Sequence, residues 1–263
     1  MDKDGDSTLT YGDYLKVPEL LKLQHCLADP ASHDELQFII IHQTYELWFK
    51  LMLFEIDSII PAMNRGNIRY ATWLFHRVNA IAKLLYQQIH ILETMSPRDF
   101  LDFRENLKPA SGFQSVQFRE IEFVSNLKDP LMLQHLKADP ESLTHLKERL
   151  SEPTLWDVFL DLLRREGFDI PENRDSAQIK KELARLHEES EKRYDLFLLS
   201  EAMIEFDEFL GLWRLHHVRM VERMIGNKPG TGGSEGVRYL STTTDKKCFP
   251  ELWDMRTYLQ NKK

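Results

Sequence analysis

The sequence predicts an all-α fold in one domain, and three observations carry that reading. Apolar residues recur three and four positions apart through most of the chain, whereas alternation at a period of two, bounded by hairpin turns, is sustained nowhere. Helix punctuation stands at the ends of the periodic runs: Ser32-His33-Asp34-Glu35 and Ser96-Pro97 at starts, Gly226 at a stop. The chain of 263 residues, 42% hydrophobic and 11% aromatic, fills a single core near the upper size for one domain. No fixed-period repeat and no linker rich in Gly, Pro or Ser divides it.

The elements follow in order. The Ser32–Glu35 capping box opens a long helix through Phe38, His42, Tyr45, Phe49 and Met52 towards Pro61, its spacing of four, three, four and three keeping one face apolar. A second long helix fits roughly Asn67 to Met95, with Trp73, Leu74, Val78, Ile81, Leu85, Ile89 and Leu92 on its stripe, until Ser96-Pro97 ends it and begins the next. Short helices punctuated by Pro109, Pro130, Pro140 and Pro153 run to Gly167. From Ser176 to Ile225 the pattern is helical again, too long for one ordinary helix, so a break or an exposed partner-facing part is expected. Its second half aligns Phe206, Leu210, Trp213, His217, Met220 and Met224 on one stripe before Gly226.

Composition bounds the partners. The balance of 34 basic against 42 acidic residues gives −8, which disfavours nucleic acid or an anionic membrane and favours a small molecule. Cys26 and Cys248 stand far apart, without CxxC or CxxCH, so a disulfide framework, a cysteine metal site and covalent haem attachment lack support. The start is acidic rather than a basic then apolar leader, and no stretch near twenty apolar residues occurs, which leads to the expectation of a cytoplasmic protein.

His42 and His217 each interrupt an apolar stripe. A neutral imidazole in an apolar interior serves an iron porphyrin as ligand or a polar substrate atom as hydrogen-bond partner; equally, a lone histidine in such a place is often a satisfied core residue. His216 shares its face with Arg219 and Arg223 and is expected to meet solvent or a polar group, which leaves His217 the better ligand candidate. The run Lys228-Pro229-Gly230-Thr231-Gly232-Gly233-Ser234-Glu235-Gly236 lacks the Lys-Ser/Thr ending of a P-loop and the third glycine of GxGxxG; it reads as a connector or a closing lid. Asp2, Asp4 and Asp6 imitate the head of an EF-hand loop, but Ser7 stands where its glycine belongs, and the segment reads as a solvated tail.

The segment from Phe100 to Ser115, with Arg104, Ser111 and Gly112 in it, sharpens the reading. Together with Phe38-Ile39-Ile40-Ile41-His42-Gln43-Thr44 and Gly230-Thr231-Gly232-Gly233 it resembles the tryptophan 2,3-dioxygenase family. The likeness runs in family order from Leu9-Thr10-Tyr11-Gly12-Asp13-Tyr14 through Glu46-Leu47-Trp48, Gln117-Phe118-Arg119 and Leu212-Trp213-Arg214 to Phe249-Pro250-Glu251-Leu252, and is least distinctive around Pro171 to Lys192.

The resemblance implies a helical bundle around a b-type haem with ferrous iron, inserting both atoms of dioxygen across the indole C2–C3 bond of L-tryptophan to give N-formyl-L-kynurenine. It implies His217 as proximal iron ligand, His42 as distal acceptor of the indole N–H, and Phe38 as packing against the indole, where ordinary core packing is the other reading. Arg104 becomes a carboxylate clamp, where without the resemblance it reads as a surface salt-bridge partner. Thr231 contacts the substrate ammonium from a lid spanning 227–244, and Ser111 and Gly112 line the distal side, with a helix N-cap as the alternative. Tyr11 and Tyr14, in a segment spanning 1–14, reach a neighbouring subunit's pocket in an implied homotetramer. Phe100 replaces a tyrosine of some relatives, so any role of that hydroxyl does not carry over. Two rival functions remain: a dioxygenase of broader indoleamine specificity, and a non-enzymatic haem gas sensor or carrier, which has no use for Arg104 and Thr231.

Overall fold

A computed structural model describes residues 8–134, 136 and 140–259. The acidic head at Asp2, Asp4 and Asp6 lies outside the described residues. No strand occurs among those described. Two short helices come first, α1 (Tyr11–Leu15) and α2 (Val17–Leu20), then the long α3 (His33–Asn64) and α4 (Ile68–Leu92). The shorter α5 (Pro97–Arg104), α6 (Val116–Val124), α7 (Pro140–Ser151), α8 (Leu155–Arg165) and α9 (Ser176–Glu188) follow. The long α10 (Tyr194–Ile225) precedes α11 (Val237–Ser241) and α12 (Pro250–Asp254).

Three long helices make the scaffold. The stripe of α3 buries Ile41, Tyr45, Phe49, Met52, Ile56, Ile59 and Met63, and that of α4 buries Leu74, Val78, Ile81, Leu85 and Ile89. A turn at Arg65–Asn67, with Gly66 at φ 72 and Asn67 capping the Tyr70 amide, folds α4 back along α3. The most extensive packing is α4 against α10, then α3 against α4. Polar ties set register within this apolar contact. Tyr45 donates to the Leu85 carbonyl at 2.8 Å, and Asn79 donates to the Ala202 carbonyl at 2.9 Å. The buried Glu55 pairs with Arg77 at 2.5 Å. No helix of the described residues is long and apolar enough to cross a membrane.

Several sequence expectations need correction. Ser32 is the N-cap of α3, but its side chain makes no capping bond, and Glu35 does not reach back to it. Glu35 is instead 1% exposed and accepts the Leu27 and Ala28 amides at 2.7 and 2.9 Å, so the buried carboxylate is satisfied by two donors at once and fastens the incoming segment. Pro61 does not end α3; it sits in the last turn, and the helix runs on to Asn64. The second long helix stops at Leu92, short of Met95. The expected break in the 176–225 run falls at residues 189–193, between α9 and α10. The Ser96 cap, donating partner Asp99 N–H, and Pro97 at the first position of α5 are as read.

Candidate functional site

α3, α5 and α10 converge at one end of the bundle around a cavity of about 250 Å³. Phe38, His42, Phe100, Arg104, Ser111, Gly112, His217 and Thr231 all line it, drawn from residues nearly two hundred positions apart. A second cavity of about 490 Å³ shares His42, Leu92, Gly112, Phe118, His217 and Met220 with the first and continues towards Leu20 and Leu23. Tyr11 and Tyr14 do not line either; they stand on α1, 77% and 72% exposed.

The two histidines face the same space in different ways. His217 stacks on Trp213, one turn earlier on α10, with ring centres 5.2 Å apart and planes within 6°. Burial, with a smaller contribution from His42, pushes its pKa down to about 4, so the imidazole is neutral and offers a lone pair. His42 Nδ1 lies 2.7 Å from the Phe38 carbonyl. A carbonyl only accepts, so Nδ1 carries the proton and Nε2 is left as an acceptor. The open surface of His42 is cavity wall; protein encloses its other sides, and that burial lowers its pKa below 6.5 against the opposing effects of the Phe38 bond and Glu46.

Beside His42 stands an aromatic box. Phe38 lies 4.0 Å from the His42 ring, 5.9 Å from Phe100 and 5.5 Å from Phe103, and Phe100 meets Phe103 edge-on at 5.4 Å. Offset and edge contacts of this kind leave π faces for a further flat aromatic guest. Arg104 closes α5 at its C-terminus and is 5% exposed, which overturns the surface reading: it is a buried cation, not a surface salt-bridge partner. One Nη donates to the Pro229 carbonyl and the other lies 3.5 Å from Glu105.

The glycine-rich run is seated over this cavity. Thr231 Oγ1 donates to the Ala110 carbonyl at 2.7 Å, and Gly230 N–H donates to the Ser234 carbonyl at 3.0 Å. A Cβ on Gly232 would lie 2.6 Å from Ser111 Cβ, so only glycine permits this approach. Gly236, at φ 61, is equally constrained by the Lys228 carbonyl, 2.6 Å from where its Cβ would stand. Ser111 also caps the 3₁₀ turn Gly112–Gln114, so the N-cap alternative and the cavity position hold together.

Sequence reasoning gave no role to Arg119, a lining residue of α6. Its Nη1 lies 2.6 Å from Glu122, which also pairs with Arg214 at 3.2 Å, all three being buried. Two guanidinium groups thus share one carboxylate, and Arg119 Nε has no hydrogen-bond partner. Its charge is met by Glu122, and the one unpartnered N–H is what it has to offer an anionic group at this cavity wall. Met220, Val221, Met224 and Leu240 complete an apolar lining. Arg119 stood within the motif Gln117-Phe118-Arg119, and its charge inside an amphipathic helix was the available signal.

Comparison with known proteins assigns the architecture. The profile of the family described as Tryptophan 2,3-dioxygenase matches residues 2–145 and 177–259. The chain belongs to the tryptophan 2,3-dioxygenase family. It is 46% identical over 256 residues to a tryptophan 2,3-dioxygenase of a Nocardioides species, covering 95% of each chain. It is 43% identical to the tryptophan 2,3-dioxygenase of Herpetosiphon aurantiacus, covering 95% of this chain and 98% of that one, and 40% identical to that of Caulobacter vibrioides at the same coverages. The gap in the family match, 146–176, includes α8, whose buried Trp156, Phe159 and Leu163 serve the core and not the cavity.

Proposed function

We propose that the two adjoining cavities together bind haem b and L-tryptophan and that the protein converts the amino acid and dioxygen to N-formyl-L-kynurenine. The observation that carries the reading is the convergence of a neutral His217, an acceptor His42, the buried Arg104 and the seated Thr231 loop on one space. The donor set fits the cofactor: His217 offers an imidazole lone pair to iron, Arg119 has an unpartnered Nε for a propionate, and the methionines supply an apolar wall. When bound, the haem supplies a ferrous iron that activates dioxygen.

The remaining work falls to side chains. His42 Nε2 accepts the indole N–H, while its Nδ1 bond to Phe38 holds the ring in place. Phe38 and Phe100 flank the indole. The Arg104 fork takes the substrate carboxylate, Thr231 meets the ammonium, and the segment 227–244 acts as a lid that keeps water out. Ser111 and Gly112 line the distal wall. Recognition of both ends of the amino acid favours tryptophan over simple indoleamines, and a sensor or carrier has no need of either group.

We further infer a homotetramer in which Tyr11 and Tyr14 complete a neighbour's site, with the whole chain one domain in the cytoplasm. Support comes from the exposed run Leu9, Tyr11, Tyr14, Leu21, Leu23 and Leu27 at the N-terminus. The two free cysteines suit a reducing compartment. The deciding experiment is single-product analysis: the reduced, haem-loaded protein is given tryptophan and oxygen, and the product is weighed by mass spectrometry. N-formyl-L-kynurenine is expected from the wild type, and His217→Ala is expected to lose haem absorbance and product together. Oxygen uptake without that product overturns the reading.

A further inference from the structure

Outside the cavity, three potential metal ligands meet where α4 ends against α10. His90 lies in the last turn of α4 and Glu93 is its C-cap, three residues on and therefore on the same face. His216 reaches them from α10. Its Nε2 is 3.0 Å from Glu93 Oε1, and His90 Nδ1 is 3.2 Å from Oε2. The two imidazoles, 4.5 Å apart at their centres, thus address separate oxygens of one carboxylate.

We propose that His90, Glu93 and His216 form a binding site for a zinc-class divalent transition-metal ion, a site distinct from the haem cavity and independent of the proposed dioxygenase chemistry. The donor types are those such an ion takes: two imidazole nitrogens and a carboxylate, three protein ligands that leave a position for water. The geometry is close. The three ligand atoms lie within 4.8 Å of one another, against roughly 3.3 Å between ligands of a tetrahedral ion bonded at about 2.0–2.1 Å. His90, whose side chain is 56% exposed, has room to turn towards the other two, and the same exposure gives an ion a way in.

One further feature favours a cation there. The site lies at the C-terminus of a seven-turn helix, whose dipole places negative partial charge at that end. Tyr86, ring centre 5.2 Å from His216, walls one side. An ion bound here ties the end of α4 to α10 at the residue next to His217, so it braces the helix that presents the candidate iron ligand.

The test uses the haem-loaded protein stripped with a chelator and titrated with Zn²⁺ against a zinc-sensitive dye. One equivalent is expected to bind at micromolar zinc, and His90→Ala and Glu93→Gln are each expected to weaken it at least tenfold. X-ray absorption at the zinc edge is expected to report two imidazoles and oxygen ligands. Haem absorbance checks that both variants are folded and loaded. Equal zinc binding by wild type and both variants, or a sulfur ligand in the absorption spectrum, overturns the proposal.

Discussion

Arg104 shows how a single side chain changes meaning between sequence and structure. In sequence it belongs to a charged run, Asp102 to Glu105, that suits a solvated helix end; in the fold it is buried, with Pro229 of the glycine-rich run as a neutral acceptor. Its two arms rest on the Pro229 carbonyl and on the exposed Glu105, 3.5 Å away, and a substrate carboxylate held in bidentate fashion would take the place of these contacts. Truncating one partner of a buried charge pair costs at least about 2 kcal/mol, which is roughly 30-fold in an equilibrium or rate. Arg104→Ala is therefore expected to lower kcat/KM for tryptophan by about that factor or more, chiefly through KM, with the haem spectrum unchanged. Steady-state kinetics check it, and an unaltered KM removes Arg104 from the clamp.

Among the elements, the long helices were legible and the connections were not. Phe38, His42, Tyr45 and Phe49 on α3, and Phe206, Leu210, Trp213 and His217 on α10, follow helical periodicity, and that periodicity places both histidines on the side of the cavity. The Ser32–Glu35 box does not form because its buried glutamate has a better use: two amides upstream satisfy the carboxylate where the cap offers one. Arg119, Glu122 and Arg214 look like ordinary surface charges, since nothing local states that two distant helices press them together. The glycine-rich run reads equally as connector or lid in sequence, and its contacts with Ala110 and Ser111 give it a defined seat in the fold. Because a methyl on Gly232 would overlap Ser111, Gly232→Ala is expected to disfavour the seated loop by about 1–3 kcal/mol, as overpacking does. The measurement is KM for tryptophan beside haem content: a rise of roughly tenfold with haem retained fits, and unchanged kinetics deny the loop a part in substrate capture.

At the scale of the whole molecule, assembly and stability each yield an expectation. Tyr11 and Tyr14 are exposed and line no part of their own chain's cavity, so removing residues 1–14 can affect turnover only by way of another subunit or of the segment that follows. A truncated protein that keeps its haem but loses most of its kcat/KM fits a shared site, and full activity rules it out. Stability turns on the junction of α9, α10 and the C-terminal turn. His187 lies there, 3.4 Å from Ser200 Oγ and 3.7 Å from Glu201, whose carboxylate is already paired with Arg256 at 2.8 Å. Burial, with Arg256 adding repulsion, lowers its pKa from 6.5 to about 4. Between those values the unfolded chain binds a proton that the folded chain refuses, so stability rises with pH there and is lost as pH falls from about 6.5 towards 4. His187→Gln keeps a polar group but has no proton to gain. Its melting temperature is expected to fall less steeply than that of the wild type over that interval, and to run parallel above pH 7. Parallel curves throughout the interval would place the acid sensitivity of the fold elsewhere.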